Sequence, residues 1–143
     1  MTQGNAGSAF HVYLFEQIAL GNIDIIKKLL ESGIDVHISD GSESQDTPLH
    51  WACSFNKLDV AIILIQNGAS TNILNSHGQT PLHILCQLPS QPDMEELVIL
   101  LLQEGCDASL VDVKNKTANE YVKATSKDML LALGSNTLPI MTH

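Results

Sequence analysis

The tetrapeptide Thr-Pro-Leu-His occurs twice, at Thr47–His50 and Thr80–His83, 33 residues apart. Each copy opens the same kind of text: a short apolar segment, a break, a second apolar segment and a glycine. The second segments run from Leu58 to Gly68-Ala69 and from Glu96 to Gly105-Cys106. A period in the low thirties marks a stack of units, each too small to stand alone, in which every unit covers the apolar face of the next. Such a chain works by presenting a surface rather than by doing chemistry.

The clearest unit shows why each segment is helical. Thr47 can cap a helix with its hydroxyl, and Pro48 has no N–H to lose at the first helical position. Leu49, Ala52 and Cys53 recur at helical spacing and predict a short inner helix with a small-residue face. Asn56 tolerates the left-handed conformation that ends a helix. Lys57 to Asn67 predicts an outer helix rich in Leu, Val and Ile, stopped by Gly68, and Ser70 to Gln79 is a polar, turn-rich connection.

With its two Thr-Pro-Leu-His segments in register and a glycine after each outer helix, the chain resembles the ankyrin-repeat family over roughly residues 10 to 133. The resemblance implies an all-α solenoid of about four helix-turn-helix units with β-hairpin finger loops, the first and last units acting as caps. The expected organisation is an N-terminal extension over 1–9 and a repeat domain over 10–134. Its units fall at about 10–38, 39–73, 74–110 and 111–133, and a tail or linker follows over 135–143. Leu14 to Leu20 and Ile23 to Leu30, closed by Gly33, form the opening unit. Asp112 to Ala118 reads as a finger and helix start without Pro and Leu, and Tyr121-Val122 with Met129 to Leu133 supplies the last seam.

Two departures from the repeat stand out. The finger Asp40 to Asp46 is two residues longer than the one before Thr80. The link Gln87 to Asp93 is about four residues longer than its counterpart. Pro89 and Pro92 forbid continuous helix there, and Asp93 with Glu96 forms a capping pair for the restart.

Composition excludes several functions. The formal net charge is −9 and all seven basic residues are lysines, so no forked donor or basic stripe is available to a nucleic acid. No stretch approaches the ~18 consecutive apolar residues of a membrane span, and Met1 to Ala9 lacks a signal-peptide pattern. Cys53, Cys86 and Cys106 fall where the repeat needs small buried residues, which fits reduced thiols. The expected setting is intracellular, in the cytoplasm with the nucleus open to it, and the expected state is monomeric.

The pairs His50-x-x-Cys53 and His83-x-x-Cys86 raise a metal-binding alternative. Zinc needs four ligands within about 2.0–2.4 Å, whereas neighbouring helix axes stand about 8–10 Å apart. Local hydrogen bonds for the histidines and apolar packing for the thiols are the simpler reading. Cys53 beside His50 lacks the orienting third group and pocket of a nucleophile, so no enzyme and no cofactor are expected.

The candidate site is therefore a protein-docking surface, used by an adaptor, scaffold or targeting domain within a larger protein. The alternative is a free-standing inhibitor that masks a transcription factor or an enzyme. Candidate contacts are Glu43 and Gln45 on the elongated finger, Trp51 and Phe55 on the inner helix, and His77, Leu88 and Lys114 further along. Trp51 and Phe55 either anchor a partner or pack against the neighbouring finger as partly buried core, and Leu88 is the equivalent apolar residue one unit on. Asp40, Glu43 and Asp46 against Lys114 and Lys116 give the groove an acidic and a basic end. Ser39, Ser42 and Ser44 lie in an acidic context open to phosphorylation. The resemblance implies hydroxylation of an asparagine in the column that Asn72 fills, and that His37 and Ser109 fill in adjacent units, so at most one site matches; Asn72 also suits a structural bond to the hairpin backbone. On the outer helices, Ile62 and Ile99 stand where Lys27 does, and could form an apolar patch on the convex face.

Overall fold

A computed structural model describes residues 2–89 and 91–122, with side chains from residue 10 onward. Six α-helices follow one another: α1 (Thr2–Leu20), α2 (Ile23–Glu31), α3 (Pro48–Ser54), α4 (Leu58–Gln66), α5 (Pro81–Cys86) and α6 (Met94–Gln103). A 3-10 turn, Ala118–Tyr121, closes the described chain. Helix α1 runs back through residues 2–9, which the sequence reading set outside the repeats. The seam Met129 to Leu133 and the tail after Gly134 lie outside the described residues.

The helices form two layers. α1, α3, α5 and the 3-10 turn pack in sequence as the inner row, and α2, α4 and α6 as the outer row. One apolar core runs between them, built from Leu14, Ile18, Ile26, Leu49, Leu64, Leu82, Leu85, Leu97 and Leu101, all buried. Tyr121 and Val122 pack on its far end, as expected of a closing seam. α2 is amphipathic, with Asp24, Lys27 and Lys28 outward. α4 carries only Asp59 and Gln66 as polar residues, and its Ile62 is half-buried like Ile99 on α6.

Termination follows the chemistry of the backbone. Asn56 has φ 53° after α3, and Gly33, Gly68 and Gly105 take φ of 102°, 95° and 95° after the outer helices. The link before α6 differs from expectation. Asp93 itself is left-handed, with φ 69°, and its carboxylate caps nothing. The carbonyl of Pro92 instead accepts a bond from Asn56 Nδ2 at 2.7 Å, tying the inserted link to the preceding unit.

Each finger is a loop closed by one backbone hydrogen bond. Asp40 N donates to Asp46 O at 2.8 Å, Asn75 N to Gln79 O at 3.0 Å, and Asp112 N to Lys116 O at 3.0 Å. The first loop is two residues longer than the others. Among the described residues none is in a strand, because one closing bond per loop does not make a ladder.

Candidate functional site

Thr-Pro-Leu-His builds both the helix start and the seam between units. His50 Nδ1 accepts the Thr47 amide N–H at 3.2 Å, and its Nε2 meets the Gln79 carbonyl at 2.8 Å. His83 repeats the pattern with Thr80 N at 3.1 Å and Lys116 O at 3.0 Å. An amide can only donate and a carbonyl can only accept, so the proton on each neutral ring sits on Nε2. Both nitrogens of both rings are thereby engaged inside the protein. A metal would have to displace these bonds, and no cluster of three or more His, Cys, Asp or Glu is placed to hold one among the described residues. The three cysteines are buried, and burial pushes the thiols of Cys86 and Cys106 up to about 12 and about 11.

Asp40, Asn75 and Asp112 set the shape of the three fingers. Each side-chain oxygen accepts a backbone N–H two residues on, from Ser42, His77 and Lys114, at 2.9 Å in every case. The three then diverge. Asp40 Oδ2 accepts the indole N–H of Trp51 at 2.9 Å, Asn75 Nδ2 donates to Asp46 at 2.9 Å, and Asp112 Oδ2 accepts from Gln79 Nε2 at 3.1 Å and from the Tyr121 hydroxyl. Burial opposes charge on Asp112, but these donors and the amides of Lys114 and Lys116 outweigh it and hold the carboxyl well below the usual range. Asp40 is lowered by the same balance, with Ser42 and Trp51 as its donors. The sequence reading assigned Asp40 only to surface charge and passed over Asn75. The recurrence of Asp or Asn at one place in each finger was the signal available.

The fingers are also joined edge to edge. Ser76 N donates to Ser44 O at 2.7 Å, the Ser76 hydroxyl donates to Glu43 O, and Val113 N donates to His77 O at 3.0 Å. Gly78 takes a left-handed φ of 72° at this junction, a conformation that would strain a residue with a side chain. His77 Nε2 lies 3.3 Å from Ser44 Oγ. Glu43, Gln45, His77 and Lys114 all stand exposed along this joined row. Gln45 takes a left-handed φ of 55° in the longest loop, next to its closing residue Asp46.

Trp51 and Phe55 have different surroundings. Trp51 is half-buried: its ring stacks on Phe15 of α1 at 5.0 Å between centroids and on Phe55 at 5.6 Å. Phe55 is 46% exposed at the end of α3. The indole bonded to Asp40 is therefore held in place, and the phenyl ring is the more exposed of the two. Leu88 is half-buried and packs on the core one unit along.

Asn72 clasps the following unit. Its Nδ2 donates to Gly105 O at 3.0 Å and its Oδ1 accepts from Asp107 N at 2.8 Å. His37, at the equivalent place, accepts Ser70 N on Nε2 at 2.9 Å. Asn72 does bond backbone, but in the turn after α6 and not in the hairpin that the sequence reading expected.

The two-row stack, its repeated histidine seam and its row of fingers agree with a match of the ankyrin-repeat family profile, in three copies, to residues 14–118. The chain belongs to the ankyrin-repeat family. Ankyrin repeats are protein–protein interaction modules, and the family is typically non-enzymatic. Ankyrin repeat domain-containing protein 40 of Mus musculus is 39% identical over 85 residues, which are 59% of this chain and 22% of that protein. Protein phosphatase 1 regulatory subunit 27 of Homo sapiens is 38% identical over 87 residues, 61% of this chain and 52% of its own length. Palmitoyltransferase ZDHHC13 of Homo sapiens is 37% identical over 93 residues, 64% of this chain but 14% of the enzyme. The chain thus spans at most about half of each of these relatives. Among the described residues no helix is long and apolar enough to cross a membrane.

Proposed function

We propose that this chain docks a segment of a partner protein along its fingers and inner helices, serving as an adaptor, scaffold or targeting domain. The observation that carries the reading is the pairing of an exposed Phe55 with an indole already immobilised by Phe15 and Asp40. A rigid aromatic platform loses little side-chain freedom on binding, and aromatic anchors dominate docking energies. Glu43 and Gln45 contact the partner at one end, His77 in the middle and Lys114 at the other, while Leu88 extends the apolar floor. The buried, unreactive thiols support a reduced, intracellular setting. The likeness to a phosphatase regulatory subunit and to longer repeat-containing proteins supports an adaptor role within a larger assembly.

The test is a pull-down from lysate with the immobilised chain as wild type, as Phe55→Ala, and as Lys27→Ala on the opposite, outer row. A partner retained by wild type and Lys27→Ala but lost with Phe55→Ala is the expected result. Equal retention by all three baits would remove Phe55 and this surface from the function.

A further inference from the structure

The outer row bears an apolar groove between α4 and α6. Leu58 and Ile62 of α4 and Glu96, Ile99, Leu100 and Gln103 of α6 line a space of about 280 Å3. Leu58, Ile99 and Leu100 rest on the core and make the floor. Ile62 is half-buried without packing on the core, and the first unit holds the exposed Lys27 at the equivalent place. The fold is therefore served by a charged residue at this position, and the isoleucine is left without a structural use.

Charge around the groove has one sign. Neither α4 nor α6 contains a lysine, whereas Asp59, Asp93, Glu95, Glu96 and Glu104 stand exposed on these helices or at their ends. Asp59, Glu95 and Glu96 lie in first turns, where the helix dipole favours carboxylates. Glu104 is the reverse case. It closes α6, where the dipole favours a cation, and neither helix has a base in its last turn. The lysines of the first two units leave this field uncompensated. Lys57 turns to the α1–α2 junction, its Nζ 3.6 Å from where a Cβ on Gly21 would stand. Lys27 and Lys28 share α2 with Asp24 and Glu31.

We infer that this groove docks a basic segment of a further partner protein, with a large apolar side chain against Ile62 and Lys or Arg on both sides of it. One cation meets Asp59 and Glu96 at one end of the groove. Another meets Glu104 at the other end, where it also faces the carbonyl end of α6. Docking relieves what the free chain leaves unfavourable: an isoleucine in water and a carboxylate at the negative end of a helix. The site lies on the outer row and stands independently of Phe55 and of the docking reading above.

The experiment is selection of binders from a displayed library of random peptides on the chain carrying Phe55→Ala, which removes the exposed aromatic ring of the inner row. Binders are then measured on wild type, Ile62→Ser and Glu104→Gln, with circular dichroism confirming that each variant folds. The expected binders carry a large apolar residue flanked by Lys or Arg and bind wild type equally well. They weaken about tenfold or more on Ile62→Ser, and more modestly on Glu104→Gln and at high salt. Binders that need Ile62 but show no basic flanks and ignore Glu104→Gln would overturn the basic partner. Basic binders indifferent to Ile62→Ser, or no binders at all, would overturn the groove and leave the inner-row reading untouched.

Discussion

The imidazole Nε2 of His50 lies 2.8 Å from the carbonyl oxygen of Gln79, and this contact joins one unit to the finger of the next. With Nδ1 held by Thr47, the ring is completely buried and completely used. Its loss strands an amide and a carbonyl in the core, each costing about 1–3 kcal/mol, and leaves a cavity. His50→Ala is expected to destabilise the fold by about 3 kcal/mol, read as a lower urea midpoint at unchanged slope. A loss below about 1 kcal/mol would mean that the seam does not depend on this ring.

The same burial makes stability depend on pH. Burial disfavours the charged ring and outweighs the Gln79 carbonyl and the Asp46 and Asp40 carboxylates, which favour it, so His50 titrates below its ordinary 6.5. Between the folded and unfolded values the unfolded chain binds more protons, and stability rises with pH there. The contribution of neutral His50 is complete above about pH 6.5 and is lost as pH falls through the folded value. The lowered carboxylates of Asp40 and Asp112 add their own loss only further down, below about pH 4. Urea midpoints should hold from pH 8 to 7 and decline as pH falls below about 6.5, and His50→Gln should flatten that decline. An equal decline in the variant would place the titration elsewhere.

Trp51 is the single tryptophan, so its fluorescence reports one place. Asp40→Ala removes the acceptor of its indole N–H and the bond that shapes the first finger. The emission should shift to the red as water reaches the indole, with a stability loss of about 1–2 kcal/mol. An unchanged spectrum would show that Phe15 and Phe55 hold the ring unaided.

Period and caps were legible in the sequence because Thr-Pro-Leu-His encodes a helix start locally, and glycine or asparagine encodes its end. Gly33, Asn56, Gly68 and Gly105 all carry the positive φ that their residue types announce. Contacts between units were less legible. Trp51 bonds a residue eleven positions earlier, and Asn72 reaches a turn 33 residues on, so their partners follow only from the stacking. The Asp93 cap failed for a physical reason: the residue takes a left-handed φ of 69° instead of the extended backbone of an N-cap, and its carboxylate makes no cap bond. The last finger shows the opposite case. Thr117 and Glu120 form a capping pair, with Thr117 N donating to Glu120 at 2.8 Å, and this replaces the lost Pro-Leu-His.

The cysteines offer a direct measure of unfolding. All three are buried, and burial raises Cys53 well above an ordinary thiol, Cys86 to about 12 and Cys106 to about 11. The thiolate is the reactive form, so a disulfide reagent at pH 8 should titrate none of the three in native protein and all of them in urea. Rapid modification of the native chain would show that the seam opens far more often than its packing implies.

Asn72 allows the coupling between units to be tested one bond at a time. Its amide donates to the Gly105 carbonyl and accepts the Asp107 amide N–H, so one side chain closes both directions of the clasp. Asn72→Ala removes both bonds, and Asn72→Asp keeps the acceptor while setting a second carboxylate beside Asp107. Each neutral bond at an exposed site is worth about 0.5–1.5 kcal/mol, so alanine should cost about 1–2 kcal/mol. Aspartate should cost at least as much at low salt and recover partly as salt screens the new repulsion. The loss should be local, because a stack couples only nearest neighbours. Hydrogen exchange in α6 and the last finger should quicken while α2 and α3 keep their protection. Uniform acceleration through all six helices would show that the clasp carries the cooperativity of the whole stack.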